Sequence, residues 1–170
     1  LHPRDSYVLV KADNGETYIM AEALMEKTMK MGGFENYEVL ATYPGQFFEN
    51  MLANHPFLPK TSRLLLADYV TMESGTGCVH TAPGHGVEDY IACQNYKDIP
   101  IIVPVDAKGY LNDLAGEFSG LYYEKSNAVI LAKLKEIGAK LEKPEVLMRR
   151  VTFYTGENSF ARVRDEGDKI

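Results

Sequence analysis

Apolar and polar positions sort most cleanly at the start of the chain. Tyr7-Val8-Leu9-Val10-Lys11-Ala12 and Glu16-Thr17-Tyr18-Ile19-Met20 flank Asp13-Asn14-Gly15. β-branched and aromatic runs around an Asn-Gly turn predict a hairpin. Ala21 to Met31 reads as a helix with Leu24, Met25 and Thr28 on one face, ended by Gly32-Gly33. A short strand follows at Tyr37-Glu38-Val39-Leu40, and the Pro44-Gly45 and His55-Pro56-Phe57-Leu58-Pro59 stretches read as loop. Two further apolar runs, Leu64–Val70 and Ile101–Val105, predict short strands, the second carrying Pro104 at an edge or bulge.

A short helix is expected over Asp89–Lys97, and strand or loop over Leu114–Tyr123. From Asn127 the period changes: Ile130, Leu134, Ile137 and Leu141 recur at helical spacing, with Ser126 to cap the start and Gly138 the end. Arg149–Phe153, a turn at Gly156–Ser159 and Phe160–Arg164 complete the chain. The fold class expected is α+β: a twisted, β-barrel-like core with short helices, then a C-terminal helix and β-hairpin.

One stretch breaks the pattern. Gly75-Thr76-Gly77-Cys78-Val79-His80-Thr81-Ala82-Pro83-Gly84-His85-Gly86-Val87-Glu88-Asp89-Tyr90 packs glycines, a proline, two histidines and two adjacent acids into one loop. Glycine backbone approaches a ligand closely and tolerates positive φ, so the polar side chains between the glycines surround whatever enters. Glu88 and Asp89 would sit at the start of the following helix, where the helix dipole favours negative charge. The residues alone fit two readings: a site built on His80 and Asp89, or a core histidine and a helix cap.

Composition narrows the field only a little. The 170 residues allow one good core, or one domain and part of a second. No apolar run approaches the roughly 20 residues that span a bilayer, so no membrane partner is expected. The opening Leu1-His2-Pro3-Arg4-Asp5 reads like the interior of a longer polypeptide rather than a signal peptide. Two cysteines, Cys78 and Cys93, make no disulfide framework, and a cytoplasmic setting is expected. A net charge of −6 argues against a broad phosphate-gripping surface, and DNA is not an expected partner. Cys78, His80, His85 and Cys93 are possible zinc ligands, but Cys-x-His is tight for zinc and Pro83 keeps His80 and His85 off one helix face. No metal and no cofactor are expected.

The glycine-rich stretch, from Gly75 to His85-Gly86 and on to Glu88-Asp89-Tyr90, resembles the editing loop of isoleucyl-tRNA synthetases. That loop lies in an insertion domain that hydrolyses mischarged valyl-tRNA. The likeness extends to His2-Pro3, Tyr7–Lys11, His55-Pro56-Phe57, Asp68–Thr71, Pro104-Val105-Asp106 with Gly109, and Gly116–Asn127, so it covers about residues 1–140. It implies that Asp89 holds the α-ammonium of the misattached amino acid and that His80 lines the pocket and orients water. Gly77, Thr81, Gly84 and Gly86 would then contact the substrate, and the partner would be a tRNA 3′ end within a full synthetase. The two charged-loop side chains are expected to converge on one pocket. A threonine-rich peptide that precedes the His-Pro in that family is absent here, so weak hydrolysis is expected.

The tail resembles a second family. A helix ending Gly138-Ala139-Lys140-Leu141, then Met148–Phe153 and Phe160–Ile170, is similar to CYTH triphosphate-tunnel domains. That likeness implies phosphate binding through Arg150, Arg162 and Arg164, although the acidic strand that would hold magnesium is missing. The organisation expected is an editing-like fragment over 1–126 and a CYTH-like fragment over 127–170, joined within the shared helix. An inert structural chimera is the alternative from a different class.

Overall fold

The computed structural model describes residues 1–137 and, by their backbone, two later strands at 148–154 and 160–166. The centre of the fold is the expected hairpin. Strand β1 (Ser6–Ala12) pairs antiparallel with β2 (Thr17–Ala21), Tyr7 opposite Ala21 and Lys11 opposite Thr17, around a turn in which Gly15 takes φ 79°. Successive side chains on a strand point to opposite faces. Tyr7, Leu9, Ile19 and Ala21 pack on one side with Leu24, Phe48, Ala53 and Cys78. Val8, Val10, Ala12, Tyr18 and Met20 pack on the other with Met29 and Phe34. Both faces are therefore covered, which is why these strands read as continuous apolar runs. Tyr7, Val8, Val10, Ile19 and Met20 are at most 1% exposed, and each such burial stabilises by about 1.5–3 kcal/mol.

Strand β3 (Tyr37–Pro44) pairs antiparallel with the other edge of β1, twice the length the sequence suggests, with a bulge between Leu9 and Val10. Two short strands, β4 (Leu52–Asn54) and β5 (Thr61–Arg63), follow, and β6 (Met148–Tyr154) and β7 (Phe160–Glu166) pair antiparallel. The sheet order is β3-β1-β2-β7-β6-β4-β5, with β2 and β7 parallel. Among the described strands it is an open seven-stranded sheet with β3 and β5 at its edges, not the closed barrel that a barrel-like core would imply.

Helix α1 (Met25–Met31) is preceded by a 3₁₀ turn at Glu22–Leu24 and buries Thr28 and Met29. The left-handed residue that stops it is Gly33, at φ 76°; Gly32 stays right-handed. The chain divides into two compact units, Leu1–His80 with Ala139–Ile170, and Thr81–Gly138. The second holds α2 (Val87–Cys93), a 3₁₀ stretch at Asp113–Phe118 and α3 (Tyr123–Glu136). Among the described residues no helix is long and apolar enough to cross a membrane.

Four local expectations need correction. Leu64–Val70 is not a strand: Leu64 donates to Met51 O and accepts from Asn50 N, whereas Leu65 and Ala67 bond to Leu1, so the partners change along the run and no ladder forms. Ile101–Val105 makes only an isolated bridge, Val105 to Leu111, because Pro100 and Pro104 both lack the N–H a ladder requires. Asp113–Phe118 is 3₁₀, with Asn112 capping it by accepting from Leu114 N and Gly116 breaking it at φ 59°. Helix α3 starts at Tyr123, so Ser126 lies inside its first turn, its hydroxyl on Tyr123 O at 2.6 Å. Gly138, Leu141 and the turn at Gly156–Ser159 lie outside the described residues.

Candidate functional site

The glycine-rich loop crosses the boundary between the two units: Gly75–His80 belongs to the first and Thr81–Tyr90 to the second. In the first unit, Gly75 and Gly77 both adopt positive φ, at 71° and 72°, with buried Thr76 between them. Three successive carbonyls are each taken by a different element. Gly75 O accepts from the Thr28 hydroxyl on α1 at 2.9 Å, Thr76 O from the Ala21 amide at the end of β2 at 2.7 Å, and Gly77 O from the Tyr7 hydroxyl on β1 at 2.7 Å. Thr76 Oγ1 in turn accepts from Cys78 N, and the buried Cys78 thiol lies 3.9 Å from Ile19 O. A Cβ on Gly77 would stand 2.5 Å from that of Ala21, so only glycine lets the loop lie this close to the sheet. Beyond Cys78 the chain emerges, and Val79 and His80 are exposed.

In the second unit the loop closes on itself. His85 N and Gly86 N both donate to Ala82 O, at 2.9 and 3.2 Å, across Pro83-Gly84. Gly84 lies against the next segment so closely that a Cβ would meet Ile102 O at 2.6 Å and Val103 Cγ2 at 2.8 Å. Gly86 caps α2 in an extended conformation (φ −134°, ψ 138°). Asp89, third residue of the helix, turns its carboxylate back so that Oδ2 accepts from Ala82 N at 2.9 Å. A Cβ on Gly86 would come within 2.9 Å of that same oxygen. The space that Gly86 leaves empty is the space the carboxylate occupies. Negative charge there also suits the first turn of a helix.

Asp89 and Thr81 are half-buried, and Gly77 is buried against β2. Asp89 also bears on Cys93, four residues on: burial, and then the Asp89 charge, push the Cys93 thiol pKa up. His55 is a packing residue, its Nδ1 accepting from the amides of Phe57 and Leu58 and its ring edge-on to Phe57. In the C-terminal pair Arg150 stands opposite Arg164 and Arg162 opposite Thr152; the side chains of Arg150, Arg162 and Arg164 lie outside the described residues. Tyr7, Thr28 and Ala21 were missed by sequence reasoning. They lie 47 to 70 residues from the carbonyls they bind, and no spacing rule links such positions.

Residues 9–135 match the family described as "Leucyl-tRNA synthetase, editing domain", and the chain belongs to that family. Within it the chain is similar to isoleucine–tRNA ligases: 43% identical over 146 residues to that of Petrotoga mobilis, covering 86% of this chain and 16% of the relative. The ligase of Caldicellulosiruptor saccharolyticus is 47% identical over 142 residues (84% and 14%), and that of Bacillus cereus strain AH187 46% over 142 (84% and 15%). The chain thus spans only 14–16% of the length of these curated relatives.

Proposed function

We propose that this chain hydrolyses the ester of a tRNA carrying misattached valine. The observation that carries the reading is Asp89, a carboxylate held by the Ala82 amide in a space kept open by Gly86, within a chain of the editing-domain family. In this reading the carboxylate pairs with the α-ammonium of the bound amino acid through charge-assisted hydrogen bonds. His80 lines the amino-acid pocket and orients a water. That water attacks the ester carbonyl, the ribose oxygen leaves and takes up a proton, and free valine and tRNA result. One methylene gives only about 1–3 kcal/mol of discrimination in a single pocket, so a second, smaller sieve removes what synthesis admits. Thr81 supplies a hydroxyl contact, while Gly77, Gly84 and Gly86 act indirectly, letting the loop lie against the sheet, against Ile102 and around the Asp89 carboxylate.

The test is deacylation of valyl- against isoleucyl-tRNA by the chain and by Asp89→Ala and His80→Ala. Selective release of valine, reduced at least about tenfold by Asp89→Ala, supports the reading; a tenfold change corresponds to about 1.4 kcal/mol. Folded protein that releases neither amino acid turns the assignment to an inert structural chimera, joined within α3.

A second reading concerns the tail alone. Arg150 and Arg164 stand opposite one another in the backbone register of β6 and β7, and Arg162 lies two residues before Arg164 on the same strand. We propose triphosphate binding there as a remnant of CYTH-like ancestry. Titration with inorganic triphosphate is the test, and binding unaffected by Arg164→Ala would sink it.

A further inference from the structure

Three consecutive carbonyls of the Gly75–Gly77 backbone have partners on three different elements, and two are held by side-chain hydroxyls rather than by a ladder. Both hydroxyls belong to residues at most 1% exposed, Thr28 and Tyr7. Water cannot replace them without opening the core. Alternating left-handed glycines give a segment with little stiffness of its own, so its path depends on what its carbonyls bind. His80 follows three residues after Gly77, on the same short emerging strip of chain. Burial pushes the Tyr7 phenol pKa above the usual tyrosine range, so at neutral pH the hydroxyl keeps the proton it donates.

We propose that Tyr7 and Thr28 are positioning residues: their hydroxyls, donating to Gly77 O and Gly75 O, fix the backbone that carries His80. Their relevance to catalysis rests on the editing reading above. The placement of the loop does not.

The two cysteines supply the measurement. Cys78 is buried within the clamped segment, whereas Cys93 lies in the other unit and serves as an internal reference. Modification of each thiol by a small reagent is followed by mass spectrometry in the full chain, alongside urea unfolding. Tyr7→Phe and Thr28→Val remove the donors while keeping the shape. Each is expected to speed Cys78 modification about tenfold beyond what its change in global stability explains, the population factor of one lost buried hydrogen bond. Cys93 should show no such excess. Tyr7→Phe also loses the bond from His2 N, which Thr28→Val leaves intact, and Thr28→Ser should restore protection. A rise in Cys78 modification that global unfolding fully accounts for, or a Thr28→Ser that behaves like Thr28→Val, overturns the proposal.

Valyl-tRNA deacylation by the same variants separates the two ideas. With a donor of the clamp removed, kcat falls and KM holds. Unsubstituted chain that releases no valine, while the Cys78 excess is present, sinks the editing reading and leaves the clamp standing. Valine release with no Cys78 excess does the reverse.

Discussion

Gly86→Ala separates the geometry of the Asp89 carboxylate from the stability of the fold. The backbone at Gly86 is extended, φ −134° and ψ 138°, and any residue adopts it without strain. The whole effect therefore comes from the added methyl. It would stand 2.9 Å from Asp89 Oδ2 and 3.0 Å from Cγ, closer than carbon and oxygen or carbon and carbon rest. The contact is with the tip of a half-buried side chain, so the carboxylate swings aside and the backbone stays. What is lost is its bond from Ala82 N, a hydrogen bond to a charged group, worth about 1.5–3 kcal/mol when buried and less here, where water reaches the site. Against it stands a gain of about 0.4–1 kcal/mol from the stiffer unfolded chain. The net change is a loss of about 1 kcal/mol, small enough to leave the protein folded. Urea unfolding measures it, and the Ala82 amide resonance reports the bond directly. On the editing reading, valyl-tRNA deacylation should fall about tenfold or more, because the carboxylate proposed to hold the ammonium is out of place. An unmoved Ala82 resonance together with a gain in stability would refute the reasoning, since the methyl would then have found room.

Gly84→Ala should cost more, about 1–3 kcal/mol in urea unfolding, because its methyl meets the Ile102 carbonyl and not a movable tip. Gly77→Ala combines a positive φ with a 2.5 Å approach to Ala21, and is expected to destabilise at least as much. The raised Cys93 pKa means that the folded protein holds the thiol proton more tightly than the unfolded chain. Its contribution to stability is fully present below the ordinary thiol pKa and is lost as pH rises through the folded value. Alkylation of Cys93 should accordingly set in at higher pH than for a free thiol, and Asp89→Asn should move the onset down; an onset at the ordinary thiol pKa would refute this.

The hairpin was legible because its residues carry local information: apolar runs on both sides of Asn14-Gly15 admit few other arrangements. The irregular stretches were not, because apolar content alone does not make a strand. Leu64 and Leu66 are half-buried against the core, yet along the run the backbone partners pass from Asn50 and Met51 at Leu64 to Leu1 at Leu65 and Ala67. Ile101, Ile102 and Val103 are 58%, 40% and 42% exposed, and the prolines around them outweigh their β propensity. In α3 the helix starts four residues before the expected Asn127, at Tyr123, whose amide donates to Gly109 O, and the Ser126 hydroxyl bonds back to Tyr123 O instead of capping the start. At the candidate site the glycine-rich stretch could be recognised as a loop that approaches something closely. What it approaches, Ala21 at Gly77, the Ile102 carbonyl at Gly84 and its own Asp89 at Gly86, had no signature in the sequence.

The three glycines therefore do different physical work, which their shared letter conceals. Gly77 is required by backbone conformation and by contact with the sheet; Gly84 by contact with another backbone segment; Gly86 only by the carboxylate that it makes room for. The first two are constraints of folding, and substitution at either changes stability together with any activity. The third is a constraint on one functional group. A site built purely as a structural cap would gain little from leaving Gly86 without a side chain, because serine or aspartate caps a helix at least as well as glycine. Glycine at that cap, with Asp89 folded into the vacant space, is the arrangement expected where the position of the carboxylate matters more than the stability of the helix.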